Sequence, residues 1–290
     1  SQYELSEKLY REAVEGRRQQ LGDEHPDTLS AIGGLGYLLE YQGKNAEAKP
    51  FLVEALDGRR RALGNDKPET LQSMNDLGNL HLGDQNFAEA EALYKEALAG
   101  RCAIFDANNY DVLQSNNNLG RLYTKMGQYE LAEPFVAKAL EGRRATLGDG
   151  HATTLFTMTR LAELRTKTGD KEGAAELYDE ALRVQSRVLG DDHAETLSTK
   201  MHLGELDLGS PLPIRMRRAQ TLLKEAYEGF CRTNGEEHED TTMAAALLRE
   251  SLSQESLSQS PGRDGTLSAD DAAAVAVMEE QPPPPQASPM

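Results

Sequence analysis

Four histidines, His25, His151, His193 and His238, recur at matching places along the chain and raise the question of a metal site. Zinc ligands lie about 2 Å from the ion, which puts two of them within about 4 Å of each other. Packed helices stand about 8–10 Å apart. Histidines from successive helix pairs therefore cannot share one ion, and turn or capping roles are expected for them. A second set is basic: Arg17-Arg18, Arg59-Arg60-Arg61, Arg101 and Arg143-Arg144. Such a column suits an anion, but the chain carries 31 Lys and Arg against 48 Asp and Glu, a net charge of -17. A chain so acidic repels a phosphate backbone rather than displacing its counterions, so nucleic acid is not an expected partner. The arginines are expected near the ends of helices, where a cation complements the dipole and pairs with neighbouring acids.

No catalytic set emerges. The sequence has no Gly-rich phosphate loop and no Gly-x-Ser-x-Gly elbow. Cys102 and Cys231 are far apart and are expected to be small packed residues in a reducing compartment. Paired carboxylates are frequent, but with 48 acids in the chain they read as a solvated face. The expectation is a protein that is not an enzyme, with no cofactor and no metal. Two cysteines cannot build a disulfide scaffold, and no stretch reaches the roughly 18–20 apolar residues of a membrane span. No signal peptide opens the chain, and the cytoplasm is the expected compartment. The first residue is Ser1 rather than Met, which reads as a fragment or a trimmed protein.

The elements that position these residues follow from an internal repeat. Leu21, Leu63, Phe105, Leu147 and Leu189 are spaced by 42 residues, and so are Leu29, Leu71, Leu113, Leu155 and Leu197. The pairs Leu35-Gly36, Leu77-Gly78, Leu119-Gly120, Leu161-Ala162 and Leu203-Gly204 keep the same period. After Leu206 the register slips by three at Gly209-Ser210-Pro211-Leu212-Pro213, which reads as a lengthened turn. Apolar residues at helical spacing predict two helices per unit, from about Glu69 to Leu82 and from about Ala88 to Phe105 in the second unit. Gly43, Gly127 and Gly169 mark the turn within a unit. Pro26 and Pro68 suit first helical positions.

Glycine inside a helix costs about 1 kcal/mol against alanine. Close backbone approach is the expected reason for two interior columns, Gly36, Gly78, Gly120 and Gly204, and Gly16, Gly58, Gly100 and Gly142. Ala48, Ala90, Ala132 and Ala174 are expected to face the first column. No unit buries its apolar stripe alone, so stacked units must share a core.

The small-Leu-Gly column, the Ala twelve residues on and the Ala seven further resemble the tetratricopeptide repeat. The longer period, with Leu21-Gly22-Asp23-Glu24-His25-Pro26-Asp27-Thr28-Leu29 and Gly142-Arg143-Arg144-Ala145-Thr146-Leu147-Gly148-Asp149-Gly150-His151, is similar to the kinesin light chain type. The third unit departs from it, with Asp106-Ala107-Asn108-Asn109-Tyr110 at its turn. The resemblance implies an all-α fold, a right-handed α-solenoid of such helix pairs over residues 1–245, in about five to six units with the first partial. Residues 246–258 read as a polar capping helix. Residues 259–290 read as a disordered Ser, Pro and acid-rich tail, with a short helix over Ala269 to Glu280 and minimal Ser-Pro sites at Ser260-Pro261 and Ser288-Pro289.

First helices of such arrays line a concave groove, as the resemblance implies. Residues four apart share one helix face. That places Asn75 and Asn79, then Asn117, Arg121 and Lys125, then Thr159, Glu163 and Lys167, then Met201 and Glu205 in the groove, with Phe156 and Tyr37 as apolar anchors. Asn both donates and accepts, which suits an extended peptide backbone, and the three cations suit an acidic peptide. Asn116 stands where neighbouring units hold Met74 and Met158, and the sequence offers no reason for it. The expected function is a protein-interaction scaffold binding a protein or peptide ligand, acidic in character. The resemblance implies a kinesin-light-chain-like cargo adaptor, with kinesin heavy chain or cargo as partner. It also implies an alternative, the repeat sensor region of a nucleotide-binding signalling receptor.

Overall fold

The computed structural model describes residues 2–210 and 212–258. The expected tail, its helix over Ala269 to Glu280 and both Ser-Pro sites lie outside the described residues. The described chain forms helices and no strand, in two compact units divided after Thr168. The first unit holds α1 (Gln2–Leu21), α2 (Pro26–Tyr41), α3 (Asn45–Leu63), α4 (Pro68–Gly83), α5 (Phe87–Ile104), α6 (Tyr110–Lys125), α7 (Tyr129–Leu147) and α8 (Ala152–Thr168). The second holds α9 (Lys171–Val188), α10 (Ala194–Leu208), α11 (Pro213–Asn234) and α12 (Glu239–Ser258). Within each unit every helix packs on the next in sequence. No described helix is long and apolar enough to cross a membrane. The boundary expected at residue 245 falls inside α12, whose Leu248 is buried beside Leu247 and Leu252.

Local chemistry sets the helix ends. Pro26, Pro68 and Pro213 open α2, α4 and α11, where a missing amide hydrogen costs nothing. The repeated histidines are caps: Nδ1 of His25, His151, His193 and His238 accepts from the backbone N–H two residues on, at 3.2–3.3 Å. In the divergent third unit Asn109 does the same work, its Oδ1 accepting from Asp111 N at 2.9 Å. The turn within a unit closes by a six-to-one bond, as from Gln128 N to Tyr123 O at 2.9 Å, with Gly127 at φ 71°. The second unit of the repeat makes the same turn with Gln85 at φ 60°, where a side chain costs about 1–2 kcal/mol.

The two interior glycine columns do different things. Gly58, Gly100, Gly142 and Gly229 each lie beneath the leucine of the preceding helix, namely Leu29, Leu71, Leu113 and Leu197. At Gly100 an added methyl carbon would stand 2.5 Å from Leu71 Cδ2 and 3.1 Å from its Cδ1. The other column, Gly36, Gly78, Gly120 and Gly204, is covered by Leu52, Tyr94, Val136 and Leu223. The alanine column expected to face it is buried, but the covering side chain belongs to the residue one turn further on. A helix side chain reaches back over the turn N-terminal to its own Cα, which accounts for the shift.

Substituting alanine at two of these glycines should give opposite signs. Gly16 has no neighbour within 4 Å of an added methyl, so Gly16→Ala should gain up to about 1 kcal/mol of helix propensity. Gly100→Ala should lose about 1–3 kcal/mol, because the buried Leu71 must give way in a packed core. Urea melts of the two variants check this; two stabilised proteins would refute the packing explanation.

Candidate functional site

On the first-helix face of the first unit, α2 contacts α4 and α4 contacts α6 directly. The period of 42 aligns Tyr37, Asn79, Arg121 and Glu163 in one row across α2, α4, α6 and α8, and Asn75, Asn117 and Thr159 in the row beside it. Hydrogen bonds tie the rows across helices. Asn79 Oδ1 accepts from Arg121 Nη2 at 2.6 Å and from Tyr94 Oη at 2.7 Å. Asn118 Nδ2 donates to Asn75 Oδ1 at 3.2 Å, and Asn75 Nδ2 donates to Leu71 O at 3.2 Å. Burial pushes the Tyr94 hydroxyl up to about 12, so it remains a donor to Asn79.

The expected groove residues separate by depth. Asn75 is 1% exposed and holds Asn118, so it lies beneath the face rather than on it. Asn79, Asn117, Arg121, Thr159 and Glu163 are half-buried, and Lys125 and Lys167 are exposed. Asn117 and Glu163 make no hydrogen bond among the described residues, whereas Thr159 Oγ1 donates to Phe156 O at 3.0 Å. Phe156 and Tyr37 are half-exposed, and the Arg160 guanidinium lies 5.6 Å over the Phe156 ring. Met201 and Glu205 belong to the second unit, where Met201 is buried and Glu205 exposed. Asn116 is buried with its Nδ2 returned to Val112 O at 2.9 Å, which satisfies the group that the apolar pattern left unexplained.

Two features escaped the sequence reading. Asp76 is buried beside this face and accepts from Gln72 Nε2 at 2.7 Å. Burial raises its pKa from 3.8 to about 6, against the opposing pull of Gln72, Arg59 and Arg101. No periodic signal marks it, because the same place in other units holds Gly34, Asn118 and Arg160.

The second is what the arginine column holds: Arg60, Arg61, Arg101 and Arg144 lie in the last turns of their helices as expected, but several of the arginines also reach the next helix. Arg59 Nη1 donates to Glu69 O at 3.0 Å and to Ser73 Oγ at 2.7 Å. Arg101 Nη1 donates to Asp111 O at 3.0 Å and Ser115 Oγ at 2.9 Å, and its Nη2 donates to Gln72 Oε1 at 2.7 Å. Arg17 likewise reaches Asp27 O, and Arg143 reaches Thr157 Oγ1. Each side chain latches a second helix to the first turns of the next first helix. Hydroxyls fourteen residues on, at Ser73, Ser115 and Thr157, were the available signal. The neighbouring arginines do pair with acids, as Arg60 does with Glu96 at 2.8 Å.

The cysteines are free, with Cys231 half-buried and Cys102 exposed rather than packed. No three His, Cys, Asp or Glu side chains among the described residues gather closely enough to hold a metal ion.

The pattern of the family described as Tetratricopeptide repeat matches residues 1–61, 33–103 and 111–185, and the chain belongs to that family. No curated protein matches it. Among solved structures, one titled as a Podosopora anserina putative kinesin light chain with nearly identical repeats superposes with a TM-score of 0.65 at 21% identity, over 72% of this chain and 98% of that one. BtubC (BKLC) from P. vanneervenii gives 0.57 at 17% identity, over 92% and 98%. The apo quorum sensor NprR from B. thuringiensis gives 0.59 at 14%, over 96% and 70%. At these identities the likeness is one of fold. Repeats of this family are scaffolds typical of protein–protein interaction.

Two outcomes follow from the buried charges. Folded Asp76 takes its proton near pH 6 and the unfolded chain only near 3.8, so acidification between those values stabilises the native state at this residue. Asp76→Asn should therefore raise stability by about 1–3 kcal/mol at pH 8, with the advantage over wild type vanishing toward pH 4. Urea melts at the two pH values decide it; an advantage independent of pH would contradict the assignment. Arg101→Met should cost about 2–4 kcal/mol, since it strips three acceptors of their donor in a buried place. Hydrogen exchange should report the loss first in α5 and α6, and uniform exchange would argue against a local latch.

Proposed function

We propose that this tetratricopeptide repeat chain is a non-enzymatic scaffold that binds a peptide or protein segment along the first-helix face of its first unit. Asn117, Arg121 and Glu163 are the central contacts, flanked by Asn79, Thr159, Lys125 and Lys167, with Asn75 as support beneath them. The observation that carries this reading is the fixed polar row. Arg121 is held by Asn79, while Asn117 and Glu163 stand half-buried with hydrogen-bonding capacity unused. A side chain already held in place loses little freedom on binding. The cations at Arg121, Lys125 and Lys167 favour acidic ligand residues.

The likeness to a structure titled as a putative kinesin light chain supports a cargo-adaptor role in the cytoplasm, with kinesin heavy chain or cargo as partner. A second reading, the ligand-sensing region of a signalling protein, is favoured by the likeness to a quorum sensor. In both, the same face carries the ligand.

Asn117→Ala combined with Arg121→Ala should preserve helicity, shift melting little and weaken binding of a partner captured from the source cells by about tenfold or more. Equal capture by the double variant would show that the partner docks elsewhere.

A further inference from the structure

The α2 end of this face differs from the rest. Tyr37, Glu40 and Tyr41 are spaced i, i+3, i+4 and share one side of α2. Tyr37 and Tyr41 are 50% and 64% exposed. The ring of Tyr3 lies 5.8 Å from that of Tyr41, and the ring of Tyr10 covers Gly34, one turn before Tyr37. On the same side of α2, Glu40 is half-buried and makes no hydrogen bond or ion pair among the described residues. The nearby cations are engaged elsewhere. Lys44 Nζ lies 2.7 Å from Glu7, Arg11 pairs with Glu7 at 2.9 Å and Glu47 at 3.2 Å, and Arg121 is given to Asn79. Burial, then the charge of Asp76, raises the Glu40 pKa against the weaker pull of Arg121, which marks a carboxylate short of a counter-charge.

We propose that Tyr37, Tyr41 and Glu40 form a subsite for a Lys or Arg side chain of the bound peptide. The aromatic rings take the aliphatic stem and the face of the cation, and the carboxylate takes its charge. With Arg121, Lys125 and Lys167 on the later helices, the face then reads a peptide of mixed sign, basic at α2 and acidic at α6 and α8. Charge alone sets the direction in which such a peptide lies. This inference rests on the peptide-binding reading of the face.

The test is a selection of random peptides displayed against the full chain, against Glu40→Lys and against the Asn117→Ala, Arg121→Ala double variant. Peptides enriched on wild type should carry Lys or Arg at a fixed spacing from Asp or Glu. A synthetic copy of one such peptide should bind Glu40→Gln about tenfold more weakly and Tyr37→Leu several-fold more weakly, both variants keeping wild-type helicity. Its version with the basic residue changed to glutamate should regain binding on Glu40→Lys. Peptides that need Asn117 and Arg121 yet carry no basic residue, or bind Glu40→Gln equally well, would overturn the subsite and leave the groove. Enriched peptides indifferent to the double variant, or no enrichment at all, would overturn the groove reading and the subsite with it.

Discussion

A leucine lying over a glycine sets the spacing of the helices. Wherever Leu29, Leu71, Leu113 or Leu197 meets Gly58, Gly100, Gly142 or Gly229, the second helix offers bare backbone and the first fills it with a branched side chain. Helix propensity is given up at each glycine, by about 1 kcal/mol. Burial of a whole leucine returns about 1.5–3 kcal/mol, so packing wins. Everything on the first-helix face depends on that spacing. Asn79 reaches Arg121, and Asn118 reaches Asn75, only because successive first helices are brought to hydrogen-bond range by the pairs behind them.

The polar face is therefore built from two layers. The lower layer, Asn75, Asn118, Gln72, Asp76 and the latching arginines, is spent on the protein's own backbone and side chains. The upper layer, Asn117, Glu163, Lys125 and Lys167, has capacity to spare. Asp76 shows the tension between them: a carboxylate buried with one amide donor and two guanidiniums at a distance is only partly compensated. The latches around it are held mostly by uncharged carbonyl and hydroxyl oxygens, so the positive charge of Arg59 and Arg101 still offsets part of the carboxylate.

The helix pairs were legible because a repeat displays the same demand several times. One glycine in a helix is ambiguous, and Gly58, Gly100 and Gly142 at a common interval do mark a contact, although Gly16 at the same interval meets nothing. The histidine caps were legible for the same reason. The site was legible only as a face. The spacing of Asn75 and Asn79 put both on one side of α4 but carried no measure of depth, and the first is buried where the second is half-buried. The latches were not foreseen because some of their acceptors are carbonyl oxygens, which every residue has, and only the hydroxyls of Ser73, Ser115 and Thr157 gave a hint in residue type. The cover of Gly78 by Tyr94 rather than Ala90 depended on side-chain direction, which residue identity alone leaves open.

The latches also bear on how the first unit carries load. Arg59 touches Ser30 on α2 as well as Glu69 and Ser73 on α4, and Arg101 touches Gln72 on α4 as well as Asp111 and Ser115 on α6. Each guanidinium is thus a rivet through two successive plates, and no rivet reaches a third. Tension applied along the row passes from rivet to rivet in series. Such a stack is loaded seam by seam, each seam resting on its own guanidinium.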